Sequence, residues 1–289
     1  MSTQETTDGA PDVRDVRLVA PGNAELTVRP DDGCRITSLV IDGLEVLRQG
    51  ERYGSFPMAP WCGRIELGQF RSFVTPTGEG AAGAGRGGVR HQMPINAAPH
   101  AIHGTVRDQP WRTARVDDRS ATFYRDLTDP WPYRGRVTQS FELGDDALTL
   151  TMGVETRGDS FPAQAGWHPW FLRQLGPTGA PVRIAFDPAW QEERGADHLP
   201  TGRRIEPLPG PWDDCFGMPD GVNVTLTWPT QLELTITSGA RWVVVFDEPA
   251  EAVCVEPQTG PPNGLNTLPR LVTPIDPLEV STTWSWRRF

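Results

Sequence analysis

The segment ALTLTMGVET, residues 147–156, alternates apolar and polar side chains along its length. Successive side chains of a strand point to opposite faces of its sheet, so this alternation predicts a β-strand with one buried face. No segment keeps a helical period over three turns, and the chain is therefore predicted to be all-β. The same alternation recurs in ten further segments: AELTVR from 24, RITSLVI from 35, RSFVTP from 71, ATFYRDL from 121, RVTQSFEL from 136, VRIAF from 182, NVTLTW from 223, QLELTITS from 231, WVVVF from 242 and STTWSW from 281.

The length of 289 residues suits one large β-sandwich, because all-β domains of this size commonly form a single unit. The 30 glycines and 29 prolines indicate many turns between short strands. Residues 1–12, MSTQETTDGAPD, are polar and turn-forming, so they are expected to be a flexible leader. A single domain is expected to occupy residues 13–289.

The charge of the chain narrows the range of partners and reactions. A formal net charge of -10 disfavours nucleic acid and anionic membranes, and a neutral small molecule is the expected partner. All 27 basic residues are arginine, so reactions that need a lysine amine are excluded, including Schiff-base and P-loop chemistry. The N-terminus lacks a secretory pattern and no apolar run could span a bilayer, which predicts a cytoplasmic protein.

The cysteines and histidines give no established metal pattern. The four cysteines have no C-x-x-C spacing, so reduced, packed thiols are expected: Cys34, Cys62, Cys215 and Cys254. His100 and His103 are three residues apart, but no H-E-x-x-H or third ligand accompanies them. No metal and no cofactor are predicted.

Two residues have the chemistry of an acid and a base. His168 lies among aromatic residues in AGWHPWF, residues 165–171, at the end of a strand-like run, where an imidazole has a tunable pKa. Glu256 ends a predicted strand in EAVCVEPQTG, residues 251–260, and burial there would perturb its pKa. From these residues alone, a structural core histidine and a salt-bridged structural glutamate remain open alternatives.

A Gly-rich segment, GEGAAGAGRGG from Gly78 to Gly88, offers no apolar residues for packing. A plain surface insertion and a lid over a nearby site are both open for it.

Taken in order, five segments resemble the motifs of the aldose 1-epimerase family, and the resemblance covers nearly the whole chain from about Val13. RGADHLPTG, residues 194–202, also resembles the D-x-x-x-I-P-T-G segment of that family. Two departures are Gly63, where many members have asparagine, and Thr105, where they have a second glycine. The five matching residues are Arg64 in PWCGRI, His103 in AIHGTV, His168 in GWHPWF, Asp213 in WDDCF and Glu256 in VEPQTG.

The resemblance implies a large antiparallel β-sandwich of the galactose mutarotase-like supersandwich type, with a free aldohexose in an open cleft. It implies Glu256 as the base and His168, in its protonated form, as the acid, with His103 beside the ring oxygen. Arg64 would donate to sugar hydroxyls, and Asp213, preferred over Asp214, would accept from them. A monomer or homodimer is expected. Tryptophans within the motifs could stack on the sugar, namely Trp61, Trp167, Trp170 and Trp212.

Three alternatives stay open from the sequence. A hexose-6-phosphate 1-epimerase would use arginines for the phosphate, and Arg107, Arg203 and Arg204 are the candidates. A non-catalytic carbohydrate-binding protein of the same fold would bind sugar without turnover. A glycoside hydrolase would need two carboxylates at a defined separation.

Overall fold

The computed structural model describes residues 15–72 and 88–289, and this part of the chain is built almost entirely of short β-strands. The strands of its first half are β1 Val16–Val19, β2 Ala24–Arg29, β3 Arg35–Ile41, β4 Leu44–Glu45, β5 Ser55–Met58, β6 Arg64–Ile65, β7 Gln69–Ser72, β8 Val89–Gln92, β9 Ala101–Ile102, β10 Arg112–Val116, β11 Ser120–Leu127 and β12 Gly135–Leu143. Those of the second half are β13 Ala147–Thr156, β14 Phe161–Ala163, β15 Gly166–Leu172, β16 Arg183–Ala185, β17 Trp190–Arg194, β18 Pro200–Ile205, β19 Asp213–Gly217, β20 Val222–Trp228, β21 Leu232–Ser238, β22 Trp242–Phe246, β23 Ala252–Gln258, β24 Arg270–Val272 and β25 Leu278–Arg288. A 3-10 turn, Glu66–Gly68, and one short helix, α1 Gly264–Thr267, interrupt them.

Two antiparallel sheets contain most of these strands. The larger has eleven strands in the order β1-β2-β3-β5-β15-β23-β22-β19-β17-β18, with β4 beside β3. The smaller has eight, in the order β10-β11-β12-β13-β25-β21-β20-β16. Three two-stranded ribbons, β14-β24, β6-β9 and β7-β8, complete the described pairing. The adjacent central strands β15 and β23 are far apart in the sequence, so the centre of this sheet depends on a long-range pairing.

The two sheets pack face to face as a sandwich. Phe171 of β15 lies edge-on to Trp284 of β25, with ring centroids 5.1 Å apart. The indole Nε1 of Trp167 donates to Oε1 of Gln139 in β12 at 2.9 Å. These odd-numbered residues of β15 therefore face the smaller sheet, and the even-numbered ones, including His168, face away from it. One continuous cluster of buried apolar side chains fills the space between the sheets.

The predicted all-β sandwich is confirmed. The segment 147–156 is strand β13 at the predicted bounds, and its buried side chains are Leu148, Leu150, Met152 and Val154. Edge strands were missed: β10 is exposed at every position and β18 at four of its six, so neither shows an alternating pattern. The described part of the segment predicted from Arg71 belongs to β7, Gln69–Ser72, and its remainder, residues 73–76, lies outside the described residues.

Other predictions about the chain's organisation are not settled. The leader, residues 1–12, lies outside the described residues, as does the Gly-rich segment apart from Gly88. The single domain from residue 13 stays a prediction. None of the helices in the described part of the chain is long and apolar enough to cross a lipid bilayer.

Truncation of Trp284 should strongly destabilise the sandwich. This side chain is fully buried between the sheets against the Phe171 ring, so Trp284→Ala leaves a cavity. We expect the free energy of unfolding to fall by about 3–5 kcal/mol in urea titrations. Ser285→Ala, at the exposed neighbouring position, is the control and should change it by less than about 0.5 kcal/mol. Equal stabilities of the two variants would contradict this packing.

Candidate active site

A cleft opens on the face of the larger sheet that points away from the smaller one. Its cavity volume is about 200 Å³, and its floor is formed by the central strands. The wall is rich in titratable groups, with histidine, arginine and carboxylate side chains close together. The lining residues are Gly63, Arg64, Ile102, His103, His168, Glu192, Arg194, His198, Pro200, Asp213, Asp214, Cys215, Val244, Phe246, Glu256 and Pro262.

The strand register places His168 and Glu256 opposite each other. Gly166 pairs with Gln258 and Trp170 pairs with Cys254 across β15 and β23. His168 lies midway between Gly166 and Trp170 on β15. Glu256 lies midway between Cys254 and Gln258 on β23, so the two side chains share the cleft face of adjacent strands. The imidazole Nε2 is 3.3 Å from the carboxylate Oε1, and both side chains are buried. Two titratable groups are thus held within direct proton-transfer reach of each other.

The backbone ladder is interrupted where this pair lies. Strands β15 and β23 pair at Gly166 and again from Trp170 onward, but not at residues 167–169. Pro169 and Pro257 follow the two titratable residues, and proline has no amide hydrogen to donate. The sequence led us to expect strand ends at both residues. They lie instead within strands β15 and β23, which continue through the prolines.

Aromatic rings fix the orientation of His168. Its imidazole is stacked between Phe56, at a centroid distance of 4.7 Å, and Trp170, at 5.1 Å. The His103 ring stands edge-on to it at 5.0 Å. With both ring faces covered, the His168 imidazole is held with Nε2 directed at Glu256.

Burial controls the ionisation of this group of side chains. Desolvation lowers the pKa of His168 to about 3, and the nearby Arg107 guanidinium acts in the same direction. Burial also raises the pKa of Glu256 well above its usual value, and the negative charge of Asp213 adds to that effect. Burial and the neighbouring His168 hold the pKa of His103 well below its usual value. Burial thus disfavours the charged form of each side chain, the imidazolium of His168 and the carboxylate of Glu256, and the protonated His168 expected from the sequence stays a prediction.

Arg64 and His103 come from the β6–β9 ribbon: Arg64 is in β6 and pairs with Ile102 of β9, and His103 directly follows β9. The His103 amide donates to the Gly63 carbonyl at 3.0 Å, and Gly63 has a φ of +62°. Asparagine tolerates this left-handed conformation better than other residues with a side chain, which explains why glycine can replace it here. Gly104 is also left-handed, and a Cβ on it would lie 1.9 Å from the Ala59 carbonyl oxygen. Glycine is therefore required after His103.

Asp213 lies at the far end of the cleft within an ionic network. Its Oδ2 accepts from Arg194 Nη1 at 2.8 Å and is 3.5 Å from His198 Nδ1. Asp214 also reaches Arg194, at 3.4 Å, and is more buried than Asp213. Both carboxylates line the cavity, and the choice of Asp213 for the sugar contact stays a prediction.

The structure brings five of the six predicted site residues to the cavity wall. The sixth, Trp170, packs on His168 and is not among the lining residues. Trp61 and Trp167 are buried in the core, away from any ligand. His100 uses its ring nitrogens on backbone groups, accepting from the Leu67 amide at 3.1 Å and lying 3.1 Å from the Asp197 carbonyl oxygen. The His-x-x-His spacing therefore reflects one structural and one cleft histidine.

Three lining residues were missed by the sequence analysis. Arg194, His198 and Glu192 come from β17 and the loop that follows it, within or beside the RGADHLPTG segment. That segment was compared only as a motif, and its charged positions were not considered as ligands. Cys254, expected from the sequence to be a packed thiol, is buried, and His168, Cys254 and Glu256 bring nitrogen, sulfur and oxygen donors within 4.8 Å of one another.

Comparisons with known proteins agree with this architecture. The sequence model of the aldose 1-epimerase family matches residues 81–263. YphB of Escherichia coli (strain K12) is 26% identical over 259 residues, covering 86% of this chain and 78% of that protein.

Solved structures share the fold. A putative aldose 1-epimerase from E. coli K12 superposes with a TM-score of 0.79 at 20% identity, covering 96% of this chain and 100% of that one. A galactose mutarotase-like protein from Clostridium acetobutylicum gives 0.82 at 17% identity and 96% coverage of both chains. The fold is thus galactose mutarotase-like. Because the family model matches more than half of the chain's residues, the chain belongs to the aldose 1-epimerase family.

Proposed function

We propose that the protein is an aldose 1-epimerase that interconverts the α and β anomers of a free aldohexose. The observation that carries this proposal is the buried His168–Glu256 pair, with its nitrogen and oxygen 3.3 Å apart on the floor of an open cleft. Anomer exchange needs one group to take the proton of the C1 hydroxyl and another to protonate the ring oxygen. The pair supplies both groups.

In the proposed reaction the pair holds one proton throughout. With sugar bound, Glu256 is the carboxylate and His168 the imidazolium, after the proton has crossed the 3.3 Å gap between them. Glu256 then takes the C1 hydroxyl proton, the C1–O5 bond breaks, and His168 gives its proton to O5. Rotation about C1–C2 exposes the other face of the aldehyde, and the same transfers in reverse close the ring.

The burial of the pair suits this cycle. Ring opening converts the carboxylate and imidazolium into two neutral groups, and a desolvated site favours neutral forms. Arg64 lies near enough to lower the pKa of Glu256, which favours the carboxylate when the sugar arrives. His103, kept neutral by burial, is placed to hydrogen-bond near the ring oxygen.

The pH profile should show the perturbed pair. The pair is inactivated when it gains a second proton in acid or loses its only proton in base. Because the pKa of His168 is lowered to about 3, the acid limb of kcat/KM should lie near pH 3, and the raised pKa of Glu256 should move the basic limb upward from the ordinary carboxyl range. Polarimetric rates at each pH, corrected for the uncatalysed reaction, provide the measurement. An acid limb centred near 6.5, the ordinary histidine value, would contradict the assignment.

Arg64→Ala should weaken sugar binding more than turnover. The guanidinium lines the cleft, and no other described side chain bonds to it, so its donors are available to sugar hydroxyls. We expect KM to rise roughly 10- to 100-fold, because a hydrogen bond to a charged group contributes about 1.5–3 kcal/mol. Arg183→Ala, on the exposed surface of β16, should leave KM unchanged. An unchanged KM in Arg64→Ala would remove this contact from the proposal.

A phosphorylated hexose suits the cleft less well. Arg203 lies 3.3 Å from Glu193, Arg204 lies 3.3 Å from Glu192, and Arg107 lies 3.1 Å from Asp108. The three arginines considered for a phosphate are thus already paired with carboxylates. Added phosphate charge would also face the acidic groups that line the far end of the cleft.

The decisive experiment is polarimetry of freshly dissolved α-D-glucose and α-D-galactose with the purified chain. Acceleration of either mutarotation, beyond the uncatalysed rate, is the expected result. A non-catalytic carbohydrate-binding protein would bind the sugar without changing the rate, so calorimetric titration with the same sugars separates the two functions. Binding without acceleration would overturn the enzymatic proposal.

A further inference from the structure

Three donors of different chemistry lie close together at the cleft: His168 and Glu256 line it, and Cys254 is buried beside them. Cys254 and Glu256 are two residues apart on one face of β23, and His168 lies opposite on β15. The imidazole nitrogen, the thiol sulfur and a carboxylate oxygen all lie within 4.8 Å of one another, and all three side chains are buried. The acid/base reaction proposed above uses His168 and Glu256 but leaves Cys254 without a role.

The spacing of these donors is close to that of a zinc site. Zinc bonds to sulfur at about 2.3 Å and to nitrogen or oxygen at about 2.0–2.2 Å, so tetrahedral donors lie roughly 3.3–3.8 Å apart. The distance from His168 Nε2 to Glu256 Oε1, 3.3 Å, is already in that range. Since no pair exceeds 4.8 Å, a shift of about 1 Å in the thiol or carboxylate side chain completes three bonds.

We propose that His168, Cys254 and Glu256 form a binding site for a thiophilic divalent cation, Zn²⁺ or Cd²⁺, whose fourth position faces the cleft. Binding displaces two protons, the thiol proton of Cys254 and the proton shared by the His168–Glu256 pair. The two positive charges of the cation replace those two protons, so the net charge of this desolvated site is unchanged. No charge is left uncompensated in the buried strands.

The bound cation is inhibitory. It occupies the lone pair of His168 and the carboxylate of Glu256, the same groups that would exchange protons with the sugar. This consequence rests on the proposed function, whereas the binding itself rests on the donor geometry. Inhibition by Zn²⁺ should therefore be relieved by a chelator, with full recovery of the mutarotation rate.

Cd²⁺ titration of the full chain tests the site without reference to activity. A cadmium–thiolate charge-transfer band in the ultraviolet should grow to one equivalent in the wild type. Cys254→Ala should lose the band, and Glu256→Gln should weaken Cd²⁺ binding at least about tenfold. Cys215→Ala is the matched control, because Cys215 lines the same cleft but is outside the trio, and it should keep the band.

The possible results separate the two proposals. A band that persists in Cys254→Ala, disappears in Cys215→Ala or never forms in the wild type would overturn the metal site. Because Cys254 is fully buried, circular dichroism must first show that its variant is folded, and if it is not, Glu256→Gln and His168→Asn carry the test. Cd²⁺ binding by a protein whose metal-free form gives no mutarotation would support the cation site while rejecting the epimerase.

Discussion

Glu256→Gln is expected to lower the mutarotation rate by roughly 10²–10⁴-fold, the contribution of a positioned general base. Glutamine has nearly the same shape as glutamate and fits the same buried position on β23, so the fold should persist. The amide, however, cannot accept the C1 hydroxyl proton. The loss should appear in kcat, measured by polarimetry at saturating sugar, with KM changed much less.

The matched control for this variant is Glu192→Gln. Glu192 is a second buried carboxylate of the same cleft, but its Oε1 accepts from the Trp190 indole at 2.9 Å and lies 3.3 Å from Arg204 Nε. Because these partners already bond to the Glu192 carboxylate, we expect Glu192→Gln to lower kcat far less than Glu256→Gln does. Equal losses of activity in the two glutamine variants would indicate a general effect on the cleft and would reject Glu256 as the base.

His168→Asn should cause a loss of the same order, roughly 10²–10⁴-fold in kcat, because asparagine offers no titratable nitrogen to protonate the ring oxygen. His91→Asn controls for the loss of a mostly buried imidazole. His91 lies 3.0 Å from the Tyr133 hydroxyl and is not among the residues that line the cleft, so its variant should keep turnover.

The double variant, His168→Asn with Glu256→Gln, tests whether the two side chains act together. If the two side chains act as one proton-exchanging unit, removing both costs about as much as removing either, and the losses do not multiply. Wild type, the two single variants and the double variant form the cycle, assayed by polarimetry under one condition. Multiplicative losses would mean that His168 and Glu256 act independently and would reject a shared proton.

The sequence alone predicted the strands that have one buried face. Strand β13 matches its predicted segment because apolar and polar residues alternate there without interruption. Strand β22 matches its predicted segment WVVVF because that run consists of β-branched and aromatic residues, which strands prefer. Strands β10 and β18 were missed because they lie at sheet edges and are mostly exposed, which removes the periodic signal. Pairing between distant strands, such as β15 with β23, has no local signature at all.

The motifs also singled out His168 and Glu256, and the structure places their side chains 3.3 Å apart, while their acid and base roles stay a prediction. The sequence did not give the direction of their pKa shifts, because that depends on burial, for His168 beneath the Phe56 and Trp170 rings, which come together only in the folded sheet. Nor did it give the donors of β17 and its following loop, since their charged residues resemble ordinary surface positions until the strand register brings Arg194 beside Asp213.

The cleft extends across the larger sheet from its central strands toward one edge. Substitutions at its two ends therefore have different consequences. The residues proposed to exchange protons belong to the central strands β15 and β23, whose opposite faces form the core. The polar residues at the far end belong to β17, β19 and the loop after β17, toward one edge of that sheet, and they bond to one another. Under the proposed function, substitutions within this peripheral network can alter the sugar preference while the reaction centre on the central strands is inherited unchanged.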